Sequence, residues 1–232
     1  MHGPVHKLAA LAVCSCLALQ SGCAATADGV SGLFIKKKTT EEVLNIKTPD
    51  DRIKELQELA KTAKKKTPEE QQRITTELSK EIQRENDPLM RRHILRTLTA
   101  FPTPLASAVL VAALGDSDME VRIVACRGLG RRRDKEAVGE LARVVSSDTN
   151  LDVRIAAVRA LGETRDRASL SPLAEALVDP DPAMQFRATA ALRDVSGRDY
   201  GNDVQAWREY AQTGKSSAPE VSLASRLRGL FF

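Results

Sequence analysis

Aromatic side chains are nearly missing from this chain: Phe, Trp and Tyr make up 3% of its 232 residues, eight in all, against 31 Ala and 26 Leu. A core so poor in aromatics has to be filled by aliphatic side chains. With Val and Ile also too sparse for an extensive sheet, the Ala and Leu excess points to helices throughout. Reactive side chains are as scarce. Of three His (His2, His6, His93) and four Cys (Cys14, Cys16, Cys23, Cys126), only His93 and Cys126 lie beyond residue 23. Activated nucleophiles and transition-metal sites need clusters of such residues, so acyl-transfer chemistry and metal centres are not expected. There is no Gly-rich phosphate loop, and a net charge of +4 does not by itself point to nucleic acid.

The longest apolar run, Leu8 to Leu19, has 12 residues, too few for the roughly 20 that a spanning helix needs. It comes after the weakly basic His2–Lys7 and reads as the apolar region of a signal peptide. The sequence Leu19-Gln20-Ser21-Gly22-Cys23 resembles a bacterial lipobox, although Gln20 departs from the aliphatic residue preferred there. That resemblance implies lipidation at Cys23, which would become the mature N-terminus of a membrane-anchored lipoprotein facing the periplasm or cell surface. Cleavage after the small-x-small stretch Ala25-Thr26-Ala27 is the other reading and predicts a soluble periplasmic protein. Residues 24–49, with Lys36-Lys37-Lys38, read as a flexible tether; the lysines are either solvated or in touch with anionic headgroups.

A repeat organises the stretch from Asp87 to Leu192. Segments Asp87–Leu98, Asp118–Leu129, Asn150–Leu161 and Asp181–Leu192 align without gaps, and their final leucines are spaced 31, 32 and 31 residues apart. Each opens with an Asp or Asn that can cap a helix. Apolar residues recur at the fourth, eighth, ninth and twelfth places, one helical stripe. Between them lie second helices around Leu110, Leu141 and Leu173. Such pairs cannot bury their apolar faces alone, and stacking them into a solenoid solves the problem. Two helical stretches precede the repeats, Pro49–Lys66 capped by Asp50 and Pro68–Asn86 opened by Thr67. Gly128 and Gly130 read as helix terminators. After the repeats, residues 197–212 form a helical cap with Trp207 and Tyr210. Residues 213–232 are a linker and a short amphipathic tail in which Leu223, Leu227, Leu230 and Phe231 share a face. That tail has three candidate destinations: the solenoid itself, a membrane or a partner groove.

The pattern resembles HEAT repeats, including the short HEAT-like variety of the phycobilin lyases. That family places an Asp in the turn between its two helices and an Arg six residues later. This chain has Asp116 with Arg122 and Asp148 with Arg154; Glu85 with Arg91 keeps the charges, and Asp179 with Gln185 keeps only the acid. The resemblance covers residues 68–196 and implies an all-α solenoid of about four HEAT-like helical hairpins with helical caps, spanning residues 50–212. HEAT-type hydroxylases hold two irons on His-Glu pairs, and no His here is followed by Glu.

A second set of arginines, Arg96, Arg127 and Arg159, occupies equivalent places about 140° around the helix from the first. They are expected to stack on the surface that is concave in HEAT-like solenoids, either as a site for an acidic partner or as an ordinary solvated face. His93, in a place held elsewhere by Val124, Ala156 and Arg187, is not expected to be catalytic, and Cys126 reads as a core residue. The function expected is a non-enzymatic protein-binding scaffold in a bacterial envelope, needing no cofactor, metal, nucleic acid or small-molecule substrate. A lyase-like enzyme or ligand cradle, and a self-associating structural component, are the alternatives.

Overall fold

The computed structural model describes residues 47–221, and among them every regular element is helical. In chain order these are α1 (Pro49–Thr62), α2 (Pro68–Arg84), α3 (Pro88–Leu98), α4 (Pro104–Ala112), α5 (Met119–Arg132), α6 (Val138–Ser147), α7 (Leu151–Thr164), α8 (Leu170–Ala176), α9 (Pro182–Ser196) and α10 (Val204–Thr213). None is long and apolar enough to cross a membrane. Cys23, the signal peptide, the tether up to residue 46 and the tail from residue 222 lie outside the described residues.

The helices begin where side chains satisfy their free N–H groups. Asp87, Asp118, Asn150 and Asp181 accept from Leu89, Val121, Asp152 and Ala183 at 2.9, 3.0, 2.9 and 2.7 Å, and open α3, α5, α7 and α9. Asp50 does not cap α1. Thr48 does, in a capping box with Asp51, and Thr67 with Glu70 repeats the motif at α2.

The chain is an α-solenoid of two helical rows. The odd-numbered helices α1, α3, α5, α7 and α9 pack side by side in one row and the even-numbered helices in the other, each even helix paired with the odd helix after it. Four hairpins result: α2/α3, α4/α5, α6/α7 and α8/α9. The two outer helices, α1 and α10, stand outside these hairpins. α1 packs on α3 in the odd row, whereas α10 leans mainly on α8 in the even row. Counting each capping residue of α3, α5, α7 and α9 as place one, the eighth, ninth and twelfth places are buried in all four, ending in Leu98, Leu129, Leu161 and Leu192. The even row contributes Leu110, Leu141 and Leu173, all fully buried. Each such leucine is worth about 1.5–3 kcal/mol on burial.

Gly128, Gly130 and Gly162 end no helix. They sit inside α5 and α7, whose ends are Arg133 and Arg165 in the left-handed conformation, at φ 54° and 55°. The glycines are there for proximity. A Cβ on Gly130 would lie 2.9 Å from Ala160 Cα, and one on Gly162 would lie 2.8 Å from Ala191 Cα. The thirteenth place of one odd helix thus meets the eleventh place of the next, backbone against backbone. The even row is looser, with a hollow of about 730 Å³ between α4 and α6. Close backbone approach thus belongs to the odd row and open space to the even one.

At the C-terminal end, Trp207 is fully buried; its Nε1–H donates to Gly201 O at 2.9 Å, and Tyr200 meets its ring edge-on at 5.0 Å. Tyr210 completes the cluster, 6.1 Å from Trp207. This aromatic wedge closes the even row, where a polar or well-packed end is needed.

Candidate functional site

Two arginine columns run along the odd row, and they do different work. The first, at the fifth place, is structural. Arg91, Arg122 and Arg154 donate through Nη1 to the backbone carbonyls of Glu85, Asp116 and Asp148, the acids of their own turns, at 3.3, 2.9 and 3.1 Å. Their charge goes elsewhere: Arg91 pairs with Asp116 at 2.8 Å, Arg122 with Asp148 at 2.7 Å and Arg154 with Asp179 at 3.7 Å. Each guanidinium therefore joins its own turn to the turn acid of the next repeat. Burial raises the pKa of Asp116 and of Asp148, but the arginine hydrogen bonds and the turn N–H groups outweigh it, so both lie below the usual carboxylate value. Gln185 makes the same carbonyl bond, to Asp179 O at 2.9 Å, without the charge. Arg52 takes the fifth place in α1 and pairs with Glu81 instead, a partner the repeat alignment does not include.

The second column is exposed. Arg96, Arg127 and Arg159 are the exposed residues at the tenth place of α3, α5 and α7, flanked on both sides by buried ones. The column is not uniformly free. Arg159 is held by Glu163 at 2.8 Å, whereas Arg96 and Arg127 form no ion pair among the described residues. Arg131, one turn beyond Arg127 and also unpaired there, joins them. Reading the tenth place alone misses Arg131; the next residue on that stripe, four further on, is the signal that finds it. Arg127, Arg131, Arg159 and Glu163 line a cleft of about 180 Å³ floored by Ala156 and Ala160. On α3, Arg92 lies 3.6 Å from Glu120. Burial, then the charges of Arg92 and Arg127, hold the Arg96 pKa below its usual value. This patch of the odd row thus gathers five guanidinium groups against two carboxylates, Glu120 and Glu163.

His93 is half-buried beside this patch. Burial first, then Arg96 and Arg92, lower its pKa, so the imidazole is neutral at pH 7 and weakly basic. Cys126 is fully buried at the ninth place of α5, and burial pushes its thiol up to about 12. Among the described residues no cluster of His, Cys, Asp and Glu is arranged to hold a metal ion.

The sequence matches the family of HEAT repeats over residues 75–150, 107–193 and 141–207, overlapping windows that together span more than half of the chain. No curated protein matches it. Among solved structures it is similar to human deoxyhypusine hydroxylase in complex with glycerol, with a TM-score of 0.50 and 24% identity over 53% of this chain. The match takes in 43% of that protein, and at this identity it speaks to the fold alone. Windows offset by about one helical pair, the cross-turn arginine ladder and the two stacked rows agree, and the chain belongs to the HEAT-repeat family.

Proposed function

We propose that this protein is a non-enzymatic scaffold, exported and anchored through Cys23 in a bacterial envelope, that captures an acidic segment of a protein partner on its odd row. HEAT repeats make a helical repeat scaffold, and the family commonly mediates protein–protein interaction. The observation that carries the finer reading is the company Arg96 keeps. Burial first, then the charges of Arg92 and Arg127, lower its pKa, and Glu120 offsets them only in part. A surplus of positive charge on an exposed surface is complementary to carboxylates, and Arg offers a planar fork for them. The non-enzymatic part of the reading is supported by the burial of the Cys126 thiol in the core.

The test is in-cell crosslinking with mass spectrometry on the full chain and on an Arg96→Glu, Arg127→Glu, Arg131→Glu variant. Loss of a crosslinked partner that the wild type captures is the expected result. Identical capture by both chains would overturn the proposed surface. The anchor has its own test: Cys23→Ser is expected to move the protein from the membrane fraction to the soluble one, and retention in the membrane would refute it.

A further inference from the structure

We infer that the cleft between α5 and α7 captures the free C-terminal end of the partner chain, and that the last residue of that chain is Asp or Glu. The inference rests on the proposed acidic-partner surface and narrows it from a patch to a point of attachment. It starts from the shape of the cleft. Arg127 and Arg131 line it from α5, Arg159 and Glu163 from α7, and Ala156 and Ala160 form the floor. The floor is closed, because α5 and α7 meet there backbone to backbone: a Cβ on Gly130 would lie 2.9 Å from Ala160 Cα. A volume of about 180 Å³ is too small for a regular element to lie in, since a helix with its side chains is about 10 Å across. It suits the end of an extended chain.

Charge narrows the choice of ligand. Arg159 and Glu163 hold each other at 2.8 Å, whereas Arg127 and Arg131 form no ion pair among the described residues. The cleft therefore keeps two positive charges from one helix, one turn apart, a spacing at which like charges disfavour the helix. A ligand confined to this volume matches them only if one residue brings two negative charges. Among the unmodified residues of a protein, a C-terminal Asp or Glu does so, with a main-chain and a side-chain carboxylate that both ionise at about pH 4 or below. Each guanidinium presents a fork for one of them.

Glu163 decides against a simple dianion. Its Oε1 accepts from Arg159 Nε, and its Oε2 accepts no hydrogen bond among the described residues. Gly130 makes room for that second oxygen, since a Cβ at position 130 would lie 2.6 Å from it. A carboxylate oxygen at the edge of the cleft repels a phosphate group, which at neutral pH is charged and rich in acceptors. A peptide end brings a donor as well as charge, and the N–H of its last peptide bond is a partner that Glu163 Oε2 can accept. Two gripped carboxylates and one accepted N–H fix the direction of the chain end, leaving Arg92 and Arg96 on α3 for acids further back in the partner.

The experiment titrates the full chain against two dye-labelled peptides and reads fluorescence anisotropy. One is Gly-Ser-Gly-Asp-Glu with a free carboxylate; the other is Gly-Asp-Glu-Asp-Gly amide, which carries the same three negative charges without a free end. The first is expected to bind at least tenfold more tightly, and Arg131→Gln, a change at an exposed position, is expected to remove the preference. Equal affinity for the two peptides would overturn the inference while leaving the acidic-partner surface standing. Binding of neither would overturn that surface as well. A preference that survives Arg131→Gln would place the chain end elsewhere and refute the cleft, and displacement of the first peptide by an equimolar amount of inorganic phosphate would do the same by marking the cleft as a phosphate site.

Discussion

Arg122 holds two repeats at once: its Nε and Nη2 grip the carboxylate of Asp148 at 2.7 and 3.1 Å while Nη1 donates to Asp116 O at 2.9 Å. The Asp148 side chain is only 9% exposed, and it also accepts from Asn150 N at 2.9 Å. One carboxylate therefore closes its own turn and fixes the repeat before it. The same arrangement recurs at Asp116, so the spacing of the solenoid is set by ion pairs at one edge and by glycine contacts along the odd row.

Replacing Asp148 by Asn is expected to cost about 1.5–3 kcal/mol, because a hydrogen bond to a charged group is lost and Arg122 is left half-buried without its counter-charge. Arg159→Ala, which removes an exposed i,i+4 pair, is expected to cost under about 1 kcal/mol. Urea titrations of the two variants measure the contrast, and equal costs would contradict the account.

The same pairs predict an acid limit. Asp116 and Asp148 titrate below the usual carboxylate value in the folded chain, with burial opposing and the arginine bonds prevailing. Their stabilisation is fully present above the unfolded value, about pH 4, and is lost as pH falls through the folded values. The melting temperature is therefore expected to fall steeply below about pH 4, and less steeply in Asp148→Asn. A parallel decline in both proteins would refute this.

Glycine substitutions should change sign with location. A Cβ on Gly162 would press on Ala191 Cα and Cβ at 2.8 Å, so Gly162→Ala is expected to destabilise by about 1–3 kcal/mol even though Ala is the better helix former. Gly139, in α6, has nothing within 4 Å of the same position, so Gly139→Ala is expected to stabilise by about 0.4–1 kcal/mol. Thermal melts of the pair decide it; destabilisation by both would mean that α6 is crowded where it looks open.

Cys126 should be inert in the native protein. With its side chain fully buried and its thiol pushed up to about 12 by burial, almost no thiolate is present at neutral pH. Iodoacetamide is expected to leave Cys126 unlabelled until denaturant is added, as followed by peptide mass spectrometry. Rapid native labelling would mean that α5 opens from the row.

Much of this architecture is legible in the sequence, and particular residues show why. The capping residues Asp87, Asp118, Asn150 and Asp181 and the apolar places ending in Leu98, Leu129, Leu161 and Leu192 act locally, within one helix, so their period betrays them. What resists reading depends on neighbours. Gly130 looks like a helix end until Ala160 is placed against it. The acid that pairs with Arg122 belongs to the next repeat, whereas the spacing suggests its own. Arg159 looks as free as Arg127 until Glu163, four residues on, is seen to hold it.

The arginine patch itself carries the last prediction. After burial, Arg92 and Arg127 lower the Arg96 pKa and Glu120 opposes them less strongly, so the repulsion among these arginines works against folding while favouring an acidic partner. Arg127→Gln is expected to raise the stability of the isolated protein by a fraction of 1 kcal/mol at low ionic strength, comparable to other exposed charge pairs. The gain should shrink as salt rises, since the screening length falls from about 30 Å at 0.01 M to about 3 Å at 1 M. A surface kept for binding trades stability in this way, whereas a solvated face whose Arg stems merely cover Ala-rich helix would lose stability on truncation. Melting curves of wild type and Arg127→Gln across that salt range separate the two cases, and a loss of stability at every ionic strength would turn the patch back into a covering of side chains.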